Sequence, residues 1–290
     1  MFTDEYGRTW QKGNLHMHTS LSDGRLSPEN AIRIYREAGY DFISLTDHWK
    51  CGRTELLKKD FLLLSGCEYD SGNDVRQGIY HIVGIGMETE PKLRTFHDAS
   101  PQEIIEEIHK AGGIAILAHP AWSMNQACMA SGFHGFDGCE IYNTVSGAPW
   151  NCRPYSGSFL DDMANRNIFL PVMAADDAHF YSGDETRSFL FVQSDDLSRD
   201  GVMTAIRNGD FIASQGPFFT VRKEENEIIV RTTPVDEAVF FTDSIYEPDR
   251  VTRGKHLCEA HFQIKDYDHW VRVELKDAKG RMAWSKFIAV

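Results

Sequence analysis

Up to about residue 215 the chain alternates short apolar runs with amphipathic stretches that open on polar caps. Ranges 15–19, 41–46, 61–67, 79–85, 114–118, 136–142 and 168–174 are apolar and β-branched, and each reads as a strand. Between the first two, Ser27-Pro28-Glu29 opens a helix, with Ser27 as N-cap and Pro28 at the first helical position, and Gly39 ends it. Ser100-Pro101-Gln102-Glu103 has the spacing of a capping box, and the helix behind it runs to Ala111 before Gly112-Gly113 stops it. Strand, helix and strand in series predict a parallel α/β architecture, a barrel or distorted barrel. In such barrels the polar residues at the C-terminal strand ends form the site. Beyond Gly216-Pro217 the helical period disappears. Ranges 218–221, 227–231, 238–241, 260–264, 271–275 and 283–288 read as short strands parted by turns such as Asp277-Ala278-Lys279-Gly280, a pattern that predicts a small all-β sandwich. The expected division is an α/β barrel over residues 1–215 and a β-sandwich appendage over 216–290.

Composition narrows the function classes. A chain of 290 residues with 42% hydrophobic and 25% charged residues is an ordinary globular protein. The formal net charge of −13 argues against nucleic-acid or membrane-surface binding. It does not exclude a small phosphorylated substrate, because bound cations would reverse the field inside a site. No apolar run is long enough to span a bilayer, and the first residues lack the basic and apolar regions of a signal peptide, so cytoplasmic residence is expected. The cysteines at 51, 67, 128, 139, 152 and 258 show no C-x-x-C spacing and are expected to remain thiols, with Cys67 and Cys139 acting as small core residues. The oligomeric state is left open.

The strand ends carry the chemistry. His16-Met17-His18 sits on a predicted strand, where alternation puts both imidazoles on one face. Asp23 follows within a turn. Asp47-His48 closes the next strand, Glu68 follows Cys67, His81 opens an apolar run, His119-Pro120 ends another, and Asp177-Ala178-His179 ends the last. Mixed imidazole and carboxylate ligands suit Zn, Mn or Fe, and the set His16, His18, Asp23, His48, Glu68, His81, His119, Asp177 and His179 is too large for one ion and enough for two or three. Taken singly, each of these has a plain structural reading as a core or turn residue, and Asp176 reads as a capping carboxylate. His97, His109, His134, His256, His261 and His269 are read as ordinary structural or surface histidines.

These motifs, in this order, resemble the polymerase-and-histidinol-phosphatase (PHP) superfamily of metal-dependent phosphoesterases. The resemblance covers roughly residues 12–215. It rests on His16-x-His18 with Ser22-Asp23-Gly24, Thr46-Asp47-His48, Gly66-x-Glu68, His81-Ile82-Val83-Gly84, Ala118-His119-Pro120 and Asp177-x-His179. It implies a distorted (βα)7 barrel with up to three metal ions. By resemblance His16, His18, Glu68 and Asp177 would hold the first ion, Glu68 would bridge to a second held by His81 and His119, and Asp23, His48 and His179 would hold a third. The small C-terminal sandwich, with Trp284 near its end, looks like that of a branch carrying this appendage. The spacing from His81 to His119 leaves no room for the domain that nucleotide-acting relatives often insert there. The last motif reads Ala175-Asp176-Asp177-Ala178-His179 where the family often has Gly-Ser-Asp-x-His; the D-x-H spacing picks Asp177, with Asp176 as the alternative.

The expected reaction is hydrolysis of a mono- or diester of a small organic phosphate by a metal-activated hydroxide, with Glu68, Asp177 and His179 as the residues closest to the chemistry. Arg187 is the first choice for a phosphate clamp, with Arg25, Arg153, Lys50 and Arg53 as further candidates. Trp49, Trp122, Tyr142 and Trp150 are candidates for a pocket wall. Ser20, Ser22 and Cys67 lack the base and oxyanion partners of a nucleophilic triad. The alternative is a hydrolase of a non-phosphate ester, amide or carbamate using the same cluster. Arginine beside the ligands would favour phosphate, and an apolar cup would favour the carbon ester. A third reading is a metal-loaded scaffold whose sandwich binds a partner, against which stands the completeness of the ligand set.

Overall fold

The computed structural model describes residues 1–290 apart from 58, 59, 73, 75, 77, 94–98 and 247, so His97 lies outside the described residues. The chain divides into two compact units, Met1–Phe211 and Ile212–Val290. The first is mixed α/β. In chain order it holds β1 (Phe2–Thr3), β2 (Thr9–Asn14), α1 (Pro28–Glu37), β3 (Phe42–Ser44), β4 (Glu55–Leu57), β5 (Phe61–Leu64), β6 (Gly66–Ser71), β7 (Tyr80–Ile85), α2 (Pro101–Lys110), β8 (Ile114–Leu117), α3 (Ala127–Ala130), β9 (Gly138–Asn143), α4 (Gly157–Ala164), β10 (Val172–Ala175), β11 (Phe189–Gln193) and α5 (Arg199–Arg207).

The strands fall into two sheets. One runs β11-β2-β3-β5-β4 with β1 on the flank of β2, and the other runs β10-β9-β8-β7-β6. A regular alternating barrel is not what is seen. β6 and β7 are antiparallel, because the chain between Ser71 and Tyr80 is too short for a crossover helix, and β7 and β8 are antiparallel as well. The pairs β1–β2, β2–β11 and β4–β5 are antiparallel too, while β2–β3, β3–β5, β8–β9 and β9–β10 are parallel. Between the sheets there are single bridges instead of ladders, Met17 with Ala178 and His48 with Glu68. Backbone bonds at these points run from His18 N–H to Ala178, Asp177 N–H to His16 and Glu68 N–H to Thr46. Site residues therefore gather where the two sheets meet: His16 and His18 past β2, His48 past β3, Asp177 and His179 past β10, Glu68 on β6, His81 on β7 and His119 past β8.

Local signals account for the helices. The Ser27 hydroxyl accepts from Asn30 N–H ahead of Pro28, and Gly39 takes φ +76° after the last turn of α1. α2 has both halves of its capping box, Ser100 with Glu103, and buries Ile104, Ile105 and Ile108. The strand expected at 15–19 lies earlier, at Thr9–Asn14, and the expected strand at 61–67 breaks at Ser65 into β5 and β6. Helices α3, α4 and α5 were not expected from the pattern.

The second unit is antiparallel. It contains β12 (Phe211–Ser214, whose first residue belongs to the other unit), β13 (Phe219–Glu224), β14 (Glu227–Thr242), β15 (Val251–Gln263), β16 (Trp270–Lys276), β17 (Met282–Trp284) and β18 (Ile288–Ala289). Strand order is β13-β14-β16-β17-β12, with β15 on β14 and β18 on β16. Two expected strands, 227–231 and 238–241, are one long β14 whose register shifts around Val235, next to Pro234, which cannot donate to a ladder. Hydrogen bonding thus draws one network bent about β14 in place of two separate sheets. Phe240 and Phe262 stack at 5.2 Å within its core, beside buried Val273, Leu275 and Trp284.

Candidate metal centre

Nine side chains from six segments converge in three overlapping groups: His16, His18, Glu68 and Asp177; Glu68, His81 and His119; and His18, Asp23, His48 and His179. In each group one ligand atom per residue lies within 4.8 Å of the others, a spacing that a single ion at ordinary ligand distances would span. The sequence-predicted ligands are therefore all brought together, and His18 joins the third group as well as the first.

Glu68 stands at the junction. It lies on β6, 1% exposed, and its two oxygens face different groups. Oε2 is 2.9 Å from His18 Nε2, 3.3 Å from His16 Nε2 and 3.4 Å from His48 Nδ1. Oε1 is 2.8 Å from His81 Nδ1 and 3.3 Å from His119 Nε2. Asp177 Oδ1 lies 3.2 Å from His16 Nε2 and 3.1 Å from His18 Nε2. Asp23, the most exposed member, places Oδ2 at 3.5 Å from His179 Nε2 and 3.8 Å from His48 Nε2.

The ring nitrogens that point away from the cluster are held. His16 Nδ1 meets Glu140 Oε1 at 2.8 Å, His119 Nδ1 meets Ser123 Oγ at 3.1 Å, and His179 Nδ1 donates to the Asp177 carbonyl at 2.7 Å. Fixing Nδ1–H leaves the Nε2 lone pair for a metal. Backbone strain accompanies this: His119 and Asp177 take φ +28° and +53°, a region that non-glycine residues enter at a cost.

Electrostatics shows what such crowding means without a cation. Burial alone would lower the His18 pKa, but the Asp177 and Glu68 carboxylates beside it raise it to about 9. Burial would raise the Glu68 and Asp177 carboxyls, yet the surrounding imidazoles hold both well below the usual carboxylate range. For His48 the balance goes the other way, since burial lowers its pKa more than Glu68 raises it. Asp177 Oδ1 and His48 Nδ1 are buried without a hydrogen bond. Buried polar atoms seldom go unpaired. An oxygen and a nitrogen left this way among imidazoles and carboxylates fit divalent transition-metal ligation.

Carboxylates that are not ligands shape the loops. Asp47 accepts from the Thr19 and Ser22 backbone and hydroxyls, fixing the turn that carries Asp23. Asp176, the alternative of the last motif, accepts from Tyr35 Oη and from the N–H groups of Thr186, Arg187 and Ser188. Burial nevertheless raises its pKa to about 7. It belongs to none of the three groups. Asp184 accepts from the His179 and Phe180 N–H groups. Glu140, Asn143, Ser123 and Asp184 were missed in the sequence. Only Glu140 and Asn143 left a trace there, as polar residues inside the buried run Gly138–Asn143.

A cavity of about 220 Å³ opens onto the groups, lined by Asp23, His48, Glu68, His81, His119 and Asp177, with His179 and Phe180 on one side and Trp122, Val145, Ser146 and Asn151 completing the wall. The arginine candidates stand apart from this lining. Arg187, Arg25 and Arg153 are not among the lining residues. Arg187 Nε donates to the Gly183 carbonyl, and Arg25 sits over the Phe180 ring, 4.8 Å from its centroid. Both guanidiniums are thus engaged by the loop that holds Phe180 and Gly183. Arg53 lines a separate cavity with Cys51, Glu88 and Arg199. Of the aromatic candidates Trp122 lines the cavity, edge-on to His81 and His119. Trp150 stacks behind Phe180, and Trp49 donates to Asp70.

No family model matches the chain. It is similar to an uncharacterized protein of Methanocaldococcus jannaschii, 29% identical over 151 residues, which cover 46% of this chain and 81% of that one. Among solved structures, an amidohydrolase of Chromobacterium violaceum is 16% identical, covering 59% of this chain and 89% of that one with a TM-score of 0.44. A two-domain protein of Bacteroides vulgatus, containing a predicted PHP-like metal-dependent phosphoesterase, is 17% identical and covers 99% of this chain and 98% of that one with a TM-score of 0.56. The fold of this chain is similar to that of the Bacteroides vulgatus protein over nearly the whole of both chains.

Proposed function

We propose that this chain is a metal-dependent hydrolase, and that it cleaves a phosphate ester of a small organic phosphate. The observation that carries the reading is Glu68, whose two oxygens serve two ligand groups around one cavity. His16, His18 and Asp177 complete the first group, His81 and His119 the second, and Asp23, His48 and His179 the third. Two or three divalent ions held there, Zn, Mn or Fe, would lower the pKa of water and stabilise charge on the ester oxygens. The chain's own residues do the rest. The hydrogen bonds on Nδ1 of His16, His119 and His179 orient the ligands before substrate arrives. Trp122, Val145 and Phe180 keep water from the cavity, and Ser146 and Asn151 offer hydrogen bonds to the substrate. His179, with Nε2 beside Asp23 at the cavity wall, can hold a proton for the leaving oxygen whenever the third group carries no ion.

A specific observation favours the second reading, a carbon ester, amide or carbamate: among the described residues the lining holds no arginine or lysine, and it includes the apolar Trp122, Val145 and Phe180. Phosphate would then be held by the ions alone. The test is hydrolysis of phenyl phosphate, bis-phenyl phosphate and phenyl acetate by the same preparation, with elemental analysis and with and without a chelator. Chelator-sensitive release of phosphate supports the first reading. Turnover of the acetate alone moves the assignment to carbon esters, and a protein that takes up no ion from Mn, Zn or Fe solutions ends both.

A further inference from the structure

Among the described residues Glu140 is the one buried carboxylate that touches ligand candidates of more than one group without lining the cavity. It lies on β9, 2% exposed. Its Oε1 takes His16 Nδ1 at 2.8 Å. Its Oε2 accepts the His119 backbone N–H at 2.8 Å and Asn143 Nδ2 at 2.8 Å. The same Asn143 Nδ2 lies 3.2 Å from Asp177 Oδ2. Asn143 is oriented by its own other end, since Oδ1 accepts from Ser146 N–H at 3.1 Å, which settles which end of the amide is the donor. One side chain therefore reaches a ligand of the first group through its ring, a ligand of the second through its backbone, and Asp177 through one intervening amide.

We infer that Glu140, with Asn143, is a positioning pair for the metal centre: it sets the spacing between the first two ion sites and does not bind an ion itself. The inference rests on the metal-dependent reading of the site. Three physical points support it. A carboxylate on Nδ1–H fixes the His16 tautomer and leaves Nε2 as the ligand atom. The two ligand candidates at left-handed φ, His119 and Asp177, are the two whose backbone or side chain this pair ties down, so the hydrogen bonds offset a strained geometry that would otherwise relax. The carboxylate is buried and its oxygens are already engaged by three partners, His16 Nδ1, His119 N–H and Asn143 Nδ2, which suits a brace better than a ligand.

The experiment is a titration of the metal-free full chain with Co²⁺, read by competition with a chromophoric chelator and by the visible d–d absorption of the bound ion. Glu140→Gln keeps the volume but can no longer accept at both oxygens. It is expected to weaken Co²⁺ by about 10- to 100-fold and to shift the d–d bands. Asn143→Ala, which spares the carboxylate and its bonds to His16 and His119 but removes the amide that joins it to Asp177 and accepts from Ser146 N–H, is expected to fall between wild type and Glu140→Gln. Wild-type affinity and an unchanged spectrum in Glu140→Gln overturn the inference. If Glu140→Gln does not fold, Asn143→Ala decides: weaker Co²⁺ with altered bands supports the pair, and wild-type behaviour overturns it. A wild-type chain that binds no Co²⁺ defeats the metal-dependent reading itself, a result separate from failure of the pair.

Discussion

Glu68 separates hypotheses that other ligands cannot, because it is the only residue of the set placed between the first and second groups. Glu68→Gln preserves its volume and removes its charge. The expected outcome is loss of at least one tightly bound ion and a fall in turnover of more than about 100-fold, checked by elemental analysis beside kcat. Full metal content with full turnover would remove the bridging role. At this scale the ligands were legible because their chemistry is unusual for buried positions: imidazoles and carboxylates at strand ends need a partner, and a metal is the partner that satisfies many at once. Glu140 and Ser123 were not legible, since a brace is defined by what it reaches in space. The arginines are a different case. A guanidinium near a motif in sequence carries no direction, and here Arg25 and Arg187 turn onto Phe180 and Gly183.

Elements were legible where their signals are local. The caps of α1 and α2 were read directly, because an N-cap hydroxyl and the N–H groups it satisfies lie within one turn. The capping box gives a direct test: Ser100→Ala is expected to cost about 1 kcal/mol, seen as a lower denaturant midpoint with unchanged slope. At the other end of α2, His109 Nε2 lies 2.8 Å from Asp137 Oδ2. The hydrogen bond to Asp137 raises the His109 pKa, with burial opposing it. A raised folded-state pKa stabilises below the unfolded value near 6.5, and the gain is lost as pH rises through the folded value. With its side chain 38% exposed the pair is screened, so His109→Gln is expected to cost only about 0.5 kcal/mol at pH 5.5 and less at pH 9, measured by urea melts at both. Strand bounds were less legible. β2 reads Thr-Trp-Gln-Lys-Gly-Asn, too polar to stand out, while the extended chain beyond it carries the histidines and keeps the alternation that puts His16 and His18 together. The antiparallel β6–β7 pair was open to sequence reasoning, since its connection is too short for a helix, but the run of strand and helix signals favoured the parallel reading.

For the whole molecule the partition of residues matters more than the topology. All nine ligand candidates fall within Met1–Phe211, and the described residues of Ile212–Val290 contribute none. The second unit has its own apolar core, with Phe240 fully buried and stacked on Phe262. These two facts predict a dissociation of effects within one full-length chain. Phe240→Ala removes a packed ring and leaves a cavity, at an expected cost of about 3–5 kcal/mol to the unit that holds it. Metal stoichiometry at 25 °C is expected to stay at the wild-type value, because no ligand and no brace of a ligand is touched. Unfolding by denaturant should then show an early transition for the altered unit, followed by tryptophan fluorescence, with bound metal released only at the later one. Release of metal with the first transition would mean that the ligand groups depend on the second unit for their assembly, and the separation argued from the residues would fail.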